Sequence, residues 1–205
     1  MSKSLLVDYI PFEVSKEQIN ESMKNNGRLI VNGILQRAEA KNQNGRIYPR
    51  DTLMREAEKY SQVQIAERRA LGELDHPDSS VVNLNNVSHN VLEMHWDGDN
   101  LLGTVEVLST PAGNILKELF KSGIKLGISS RGLGSVKELS ENDTVEVQPD
   151  FELIAFDFVS NPSTHGAFLS PTNEGKLNEG VGTRDGVCCH DCKVENIIND
   201  IFRGE

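Results

Sequence analysis

Runs of branched apolar residues alternate with glycine- and asparagine-rich turns through the middle of the chain, and their spacing sets the expected elements. Leu29-Ile30-Val31-Asn32-Gly33-Ile34-Leu35 reads as a buried strand, and Asn42-Gln43-Asn44-Gly45 is a turn cluster. Pro49-Arg50-Asp51 opens a helix in which Leu53, Ala57, Tyr60 and Val63-Gln64-Ile65 recur at helical spacing to about Arg69. Two strand-like runs, 87–95 and 101–108, flank the hairpin turn Asp97-Gly98-Asp99-Asn100. Thr110 as N-cap with Pro111 at the first helical position starts a second helix, carried by Ile115, Leu116, Leu119 and Phe120 and stopped at Gly123. Further strands are expected over 125–129, 135–138, 144–148 and 151–159. Short strands interrupted by two helices indicate an α+β domain built on a mostly antiparallel β-barrel or sheet flanked by helices.

The two ends differ from this body. Residues 1–27 are polar apart from Leu5-Leu6-Val7-Asp8-Tyr9-Ile10 and read as an N-terminal arm, with Ser15 and Gln18 in a capping-box pattern that starts a short helix through Met23. The body is expected over 28–170. A linker rich in Pro, Thr, Asn, Gly, Glu and Lys follows over 171–186. Residues 187–205 form a short tail whose Val194, Ile197, Ile198 and Ile201 make an apolar helical stripe.

Composition narrows the partners. Of 205 residues, 37% are hydrophobic, enough for one substantial core. Lys and Arg number 21 against 31 Asp and Glu, a net charge of −10, and the basic residues are scattered, so no direct nucleic-acid partner is expected. No apolar run reaches the roughly 20 residues that span a bilayer, and no basic segment followed by an apolar core marks a secretory leader. Neither membrane insertion nor export is expected. The three cysteines, Cys188, Cys189 and Cys192, all lie in the tail, so the body contains no internal disulfide.

Two short motifs carry candidate chemistry. Gly127-Ile128-Ser129-Ser130-Arg131-Gly132-Leu133-Gly134-Ser135 is preceded in the chain by Leu71-Gly72-Glu73-Leu74-Asp75-His76-Pro77. A hydroxyl becomes a nucleophile at neutral pH when an imidazole takes its proton; His76, before Pro77 and away from helix, is either the histidine for that role or a turn histidine that bonds locally. In an extended run Ser129 and Ser130 point to opposite faces, so only one of them can meet it. Asp157 interrupts the apolar run Leu153-Ile154-Ala155-Phe156-Asp157-Phe158-Val159, where a carboxylate is costly unless paired, and is the first candidate to orient the imidazole. His89 is the alternative. Glu73 and Asp75 are expected to face solvent or serve structure. Arg131 either supplies charge near a developing oxyanion or pairs with a carboxylate, and Gly132 and Gly134 serve backbone geometry. Cys188, Cys189, His190 and Cys192 resemble half of a metal site, but no second Cys/His pair stands nearby, so no cofactor is expected.

Gly-Glu-Leu-Asp-His-Pro at 72–77, Val-Ser-His at 87–89, Leu-Gly-Thr-Val-Glu-Val-Leu-Ser-Thr-Pro-Ala-Gly at 102–113, the serine motif at 127–135 and Phe-Asp-Phe-Val-Ser-Asn-Pro-Ser at 156–163 occur in that order. Over roughly residues 28–180 the set resembles the prohead core proteases of T-even-type tailed phages, distant relatives of the herpesvirus assemblin-type serine proteases. The resemblance implies a serine endopeptidase inside the immature capsid, in the host cytoplasm, that digests scaffold and trims capsid proteins. It favours His76 as the catalytic imidazole over a turn histidine. It also favours Ser130 as nucleophile, since a glycine two residues after the nucleophile recurs in the assemblin-type enzymes, and it leaves the type of the third residue open.

The family preference for cutting after Glu in Leu/Ile-x-Glu implies self-cleavage at Leu177-Asn178-Glu179-Gly180, between Glu179 and Gly180 in the linker, with an inhibitory role for the tail before the cut. Ile19-Asn20-Glu21, Leu71-Gly72-Glu73 and Leu139-Ser140-Glu141 match the same pattern, the second beside His76 where burial protects it. Oligomers inside the prohead fit the resemblance. A non-enzymatic scaffold component of the prohead core is the competing reading, and a metal-binding regulatory module rests on the tail cysteines alone.

Overall fold

A computed structural model describes residues 3–24, 27–75, 77, 79–139 and 144–160, and among these the chain forms ten strands. The chain divides into Met1–His165 and Gly166–Glu205, and every described residue belongs to the first unit. The expected linker, the Glu179–Gly180 site, the cysteine cluster and the tail helix lie outside the described residues.

Three small sheets result. Strands β1 (Ser4–Phe12), β7 (Leu126–Gly134) and β10 (Glu152–Val159) form one, with β7 in the middle and antiparallel to both neighbours. Strands β2 (Leu29–Arg37), β6 (Asn100–Val107), β5 (Val87–Asp97) and β4 (Leu71–Glu73) form the second, antiparallel throughout, in the order β2-β6-β5-β4. The third pairs β9 (Thr144–Val147) with β8 (Val136–Leu139) antiparallel and with β3 (Arg46–Ile47) in parallel. A parallel bridge from Leu74 to Phe158 and a 2.7 Å hydrogen bond from the Asp75 N–H to the Phe158 carbonyl carry the end of β4 alongside β10. The segment that leads into His76 is thereby fastened to the sheet that holds both serines.

The expected helix signals hold. Helix α1 (Lys16–Lys24) starts with a reciprocal capping box, Ser15 N–H to Gln18 Oε1 at 3.1 Å and Gln18 N–H to Ser15 Oγ at 3.2 Å. Helix α3 (Pro111–Lys121) has Thr110 Oγ1 accepting from the Gly113 N–H at 3.0 Å, and it ends at Gly123, whose φ of 73° suits glycine. Helix α2 (Arg50–Tyr60) continues into a widened turn over Ser61–Ile65, in which Ala66 N–H reaches back five residues to Ser61. Among the described residues no helix is long and apolar enough to cross a membrane.

One expectation changes. Residues 4–12, read as part of an arm, form β1 and pair with the whole of β7, and Leu6 and Phe12 are buried. The apolar run over 5–10 was its trace in the sequence, but β1 lies at the edge of its sheet and is ordered by β7, a partner more than a hundred residues away.

The main core lies between the first two sheets under α3. Phe158 is its hub, with edge-on rings of Phe12 at 5.1 Å, Phe120 at 5.3 Å and His89 at 4.7 Å between centroids. Ile128 and Phe156 fill the same face, while Leu6, Tyr48, Leu53, Val147 and Phe151 form a smaller neighbouring cluster.

Candidate active site

Strand β7 presents its two serines to different surroundings. Directly opposed residues of an antiparallel pair share a face; Ser129 opposes Tyr9 on one side and Asp157 on the other, while Ser130 opposes Asp8 and Phe156. Ser130 therefore sits in phase with Ile128 on the core face, and Ser129 lies with Arg131 and Asp157 on the other.

The core-face hydroxyl is held in a polar knot. Gln36 Nε2 donates to Ser130 Oγ at 2.6 Å, and the opposed carboxylate of Asp8 accepts from Arg46 at 2.9 Å, from Asn44 Nδ2 at 2.7 Å and from the Tyr48 hydroxyl. Burial first, and then the Asp8 charge, pushes the Tyr48 phenol well above its ordinary range, so it stays a donor. No histidine appears among these partners. Gly132, on the same face, is a packing glycine, since a Cβ there would come within 2.4 Å of the Phe151 ring.

On the opposite face Arg131 is fully buried between two fully buried carboxylates. Its Nε donates to Asp157 Oδ2 at 2.8 Å, one terminal nitrogen donates to Asp157 Oδ1 at 3.1 Å and Glu73 Oε1 at 3.0 Å, and the other donates to the Ser79 carbonyl at 2.7 Å. Every donor nitrogen of the guanidinium is engaged. Of the two expected roles, Arg131 takes the one of pairing with carboxylates, and through Ser79 it also ties down the segment that follows His76.

Asp157 additionally accepts from the Glu73 N–H at 3.0 Å. Burial pushes its carboxyl up, and Arg131 and that N–H pull in the opposite direction. The residue expected to orient a histidine is thus the partner of Arg131, and it faces away from Ser130. The structure does not bring Ser130 and Asp157 together.

His89 is no free substitute. Its Nε2 lies 2.9 Å from the Phe156 carbonyl, which can only accept, so Nε2 carries the proton and Nδ1 accepts from the Ser88 hydroxyl at 2.8 Å. Burial lowers its pKa to about 4, against the opposing pull of that carbonyl. His89 is a neutral core histidine.

Two buried oxygens on the Arg131 face have no hydrogen-bond partner among the described residues: Ser129 Oγ and Glu73 Oε2. His76 itself lies outside the described residues. The chain on either side of it is anchored close by, Asp75 to the Phe158 backbone of β10 and Ser79 to Arg131 on this face. Of the two placements expected for Glu73, facing solvent or serving structure, the second holds: it is fully buried and paired with Arg131. The available signal for Ser129 was the phase of β7, because counting by twos from Leu126 and Ile128 carries Ser130 inward. Among the described residues no cluster of metal-ligating side chains occurs.

Known proteins resemble this chain in fold and sequence. A family model described as prohead core protein serine protease matches residues 5–179. The prohead core protein protease of Enterobacteria phage T4 is 30% identical over 169 residues, which cover 81% of this chain and 78% of that protein. The solved structure of the bacteriophage T4 capsid assembly protease superposes with a TM-score of 0.70 at 26% identity, covering 78% of this chain and 99% of that one. The α+β arrangement of antiparallel sheets flanked by few helices is the fold of that protease. Family model, sequence and fold agree, and the chain belongs to the prohead core protein serine protease family.

Proposed function

We propose that this chain is a serine endopeptidase of the phage prohead interior, with Ser129 as nucleophile and His76 as general base. The reading moves the nucleophile one residue from Ser130. The observation that carries it is the buried Ser129 Oγ, without a partner among the described residues, on the face where Arg131 holds the chain just after His76 at Ser79. Ser130, by contrast, is already committed to Gln36 on the core side.

In this mechanism the imidazole removes the Ser129 proton as Oγ attacks the carbonyl carbon of the scissile bond. The tetrahedral adduct collapses as the imidazolium returns that proton to the leaving amine, which leaves an acyl-enzyme. Water, deprotonated by the same imidazole, then releases the acid product and regenerates Ser129. The substrates are scaffold and capsid proteins cut after Glu in Leu/Ile-x-Glu; the relatives are a prohead core protein protease and a capsid assembly protease, and this chain carries matching tripeptides. The chain cuts itself between Glu179 and Gly180, and the tail beyond that bond restrains activity until it is removed. Of the other tripeptides, Leu71-Gly72-Glu73 is protected, since Gly72 and Glu73 are buried in β4.

The test is expression of the full chain beside Ser129→Ala, Ser130→Ala and Glu179→Ala, with intact mass read after incubation. Wild type and Ser130→Ala lose the segment after Glu179; Ser129→Ala and Glu179→Ala keep it. Processing by Ser129→Ala would overturn the assignment of the nucleophile, and an uncut wild type that also leaves a Leu-x-Glu peptide intact would favour the scaffold reading.

A further inference from the structure

A cavity of about 510 Å³ lies between β1, the end of β2 and the turn over 40–43. Half-buried Tyr9, Ile10 and Ile34 give it apolar walls, and the exposed side chains of Arg37, Lys41 and Gln43 also line it. Among the described residues no carboxylate does, in a chain with 31 acids against 21 bases. Apolar walls joined to cations and amide donors suit a carboxylate carried on a short hydrocarbon stem.

Two of the lining groups have donors to give. Arg37 donates its Nε to Asn100 Oδ1 at 2.7 Å, which holds the guanidinium without supplying a counter-charge. By contrast Arg28, Arg46, Arg50, Arg55, Arg69 and Arg131 each pair with a carboxylate. Asn42, in the same lining, has its amide fixed, since Oδ1 accepts from the Asn44 N–H at 3.0 Å and the Arg46 N–H at 2.9 Å. Its Nδ2 is buried and has no partner among the described residues. A bound carboxylate supplies the acceptor it lacks.

Tyr9 ties the cavity to the serine. It stands opposite Ser129 in the β1–β7 register, and its ring lies over Gly127, where an added Cβ would come within 1.5 Å of it. Gly127 and Ser129 share a face, so the Tyr9 ring is on that face too. The cavity thus begins one strand from the proposed nucleophile, about 4.8 Å between neighbouring backbones.

We propose that this cavity is the specificity pocket of the peptidase: it takes the glutamate side chain of the substrate, with Arg37 and Lys41 reading the carboxylate and Tyr9, Ile10 and Ile34 against the methylenes. The assignment rests on the proposed peptidase activity and adds the residues that select its substrate.

Fluorogenic Leu-x-Glu and Leu-x-Gln peptides differ in charge and hardly in shape, so their comparison tests the pocket. The full-length wild type prefers the acid by roughly 10- to 10²-fold in kcat/KM. Arg37→Gln combined with Lys41→Gln brings that ratio close to one, and Arg37→Glu combined with Lys41→Glu makes a Leu-x-Lys peptide the better substrate. Damage to the fold slows both peptides together and leaves the ratio alone. An unchanged ratio in the glutamine variant overturns the assignment.

Binding is read separately in full-length Ser129→Ala, from the fluorescence anisotropy of labelled forms of the same two peptides. Leu-x-Glu binds more tightly than Leu-x-Gln, and the difference disappears when Arg37 and Lys41 are replaced by glutamine. Equal binding of the two peptides before that replacement overturns the assignment. Selective binding beside a wild type that cuts neither peptide counts against the peptidase alone and leaves the carboxylate pocket standing.

Discussion

Ser129 and Asp157 stand opposite one another across β7 and β10, on the face of the sheet that Ser130 turns away from. The pairing sorts the two adjacent serines into a reactive candidate and a structural one, and it allows their substitutions to be told apart.

Ser129→Ala is expected to abolish peptide cleavage, a loss of at least about 10³-fold, with the thermal transition unchanged. Ser130→Ala should behave the other way. It leaves the buried Gln36 amide without its 2.6 Å acceptor, a cost of about 1–3 kcal/mol, with activity within a few-fold. Denaturant titration and peptide kinetics on the two variants check both halves.

Arg131→Ala leaves Asp157 and Glu73 buried without their cation and should cost about 3–5 kcal/mol. Because Arg131 also holds the Ser79 carbonyl, amide hydrogen exchange should rise over 77–83 before it rises in β5 and β6. Uniform protection in that segment would show that the guanidinium does not restrain it.

His89 sets a pH dependence with a definite sign. Its folded pKa, about 4, lies below the ordinary 6.5, so the unfolded chain binds one more proton between those values. The stability it confers is complete above pH 6.5 and is lost as the pH falls toward 4, about 3 kcal/mol in all. Comparing the unfolding free energy of wild type and His89→Gln across that window should show a slope smaller by one proton in the variant.

Gly72→Ala would place a methyl group 2.0 Å from the Phe156 carbonyl oxygen and 2.2 Å from His89 Nε2. Backbone must move to admit it, so a loss of at least about 1–3 kcal/mol is expected. Activity should fall as well, because β4 carries Glu73 and leads to His76. Wild-type stability and turnover in this variant would show that β4 has room to shift.

Most of the body was legible from pattern: the two central strands of the second sheet, the caps of α1 and α3, and the strands β8 and β9 of the third sheet. Three things were not. Strand β1 owes its existence to pairing with β7, a contact between residues more than a hundred positions apart. The placement of Asp157 was not legible either, since only the fold shows that it pairs with Arg131 on the face that Ser130 turns away from. The choice of serine was available in the phase of β7, where Leu126 and Ile128 point inward and take Ser130 with them, but family spacing of the following glycine argued the other way. Gly132 in fact makes room for Phe151.

The glycines of β7 have a larger consequence. A Cβ at Gly127 would come within 1.5 Å of the Tyr9 ring, and one at Gly134 would touch the Phe151 backbone at 3.0 Å, so with Gly132 the strand is notched at both ends to accept aromatic rings. A slip of one residue would push Ile128 or Leu133 into those notches and exchange the faces of every side chain between them. The notches thus act as a key for alignment: they admit β7 in the one setting that leaves Ser129 beside the buried acids and Ser130 in the core.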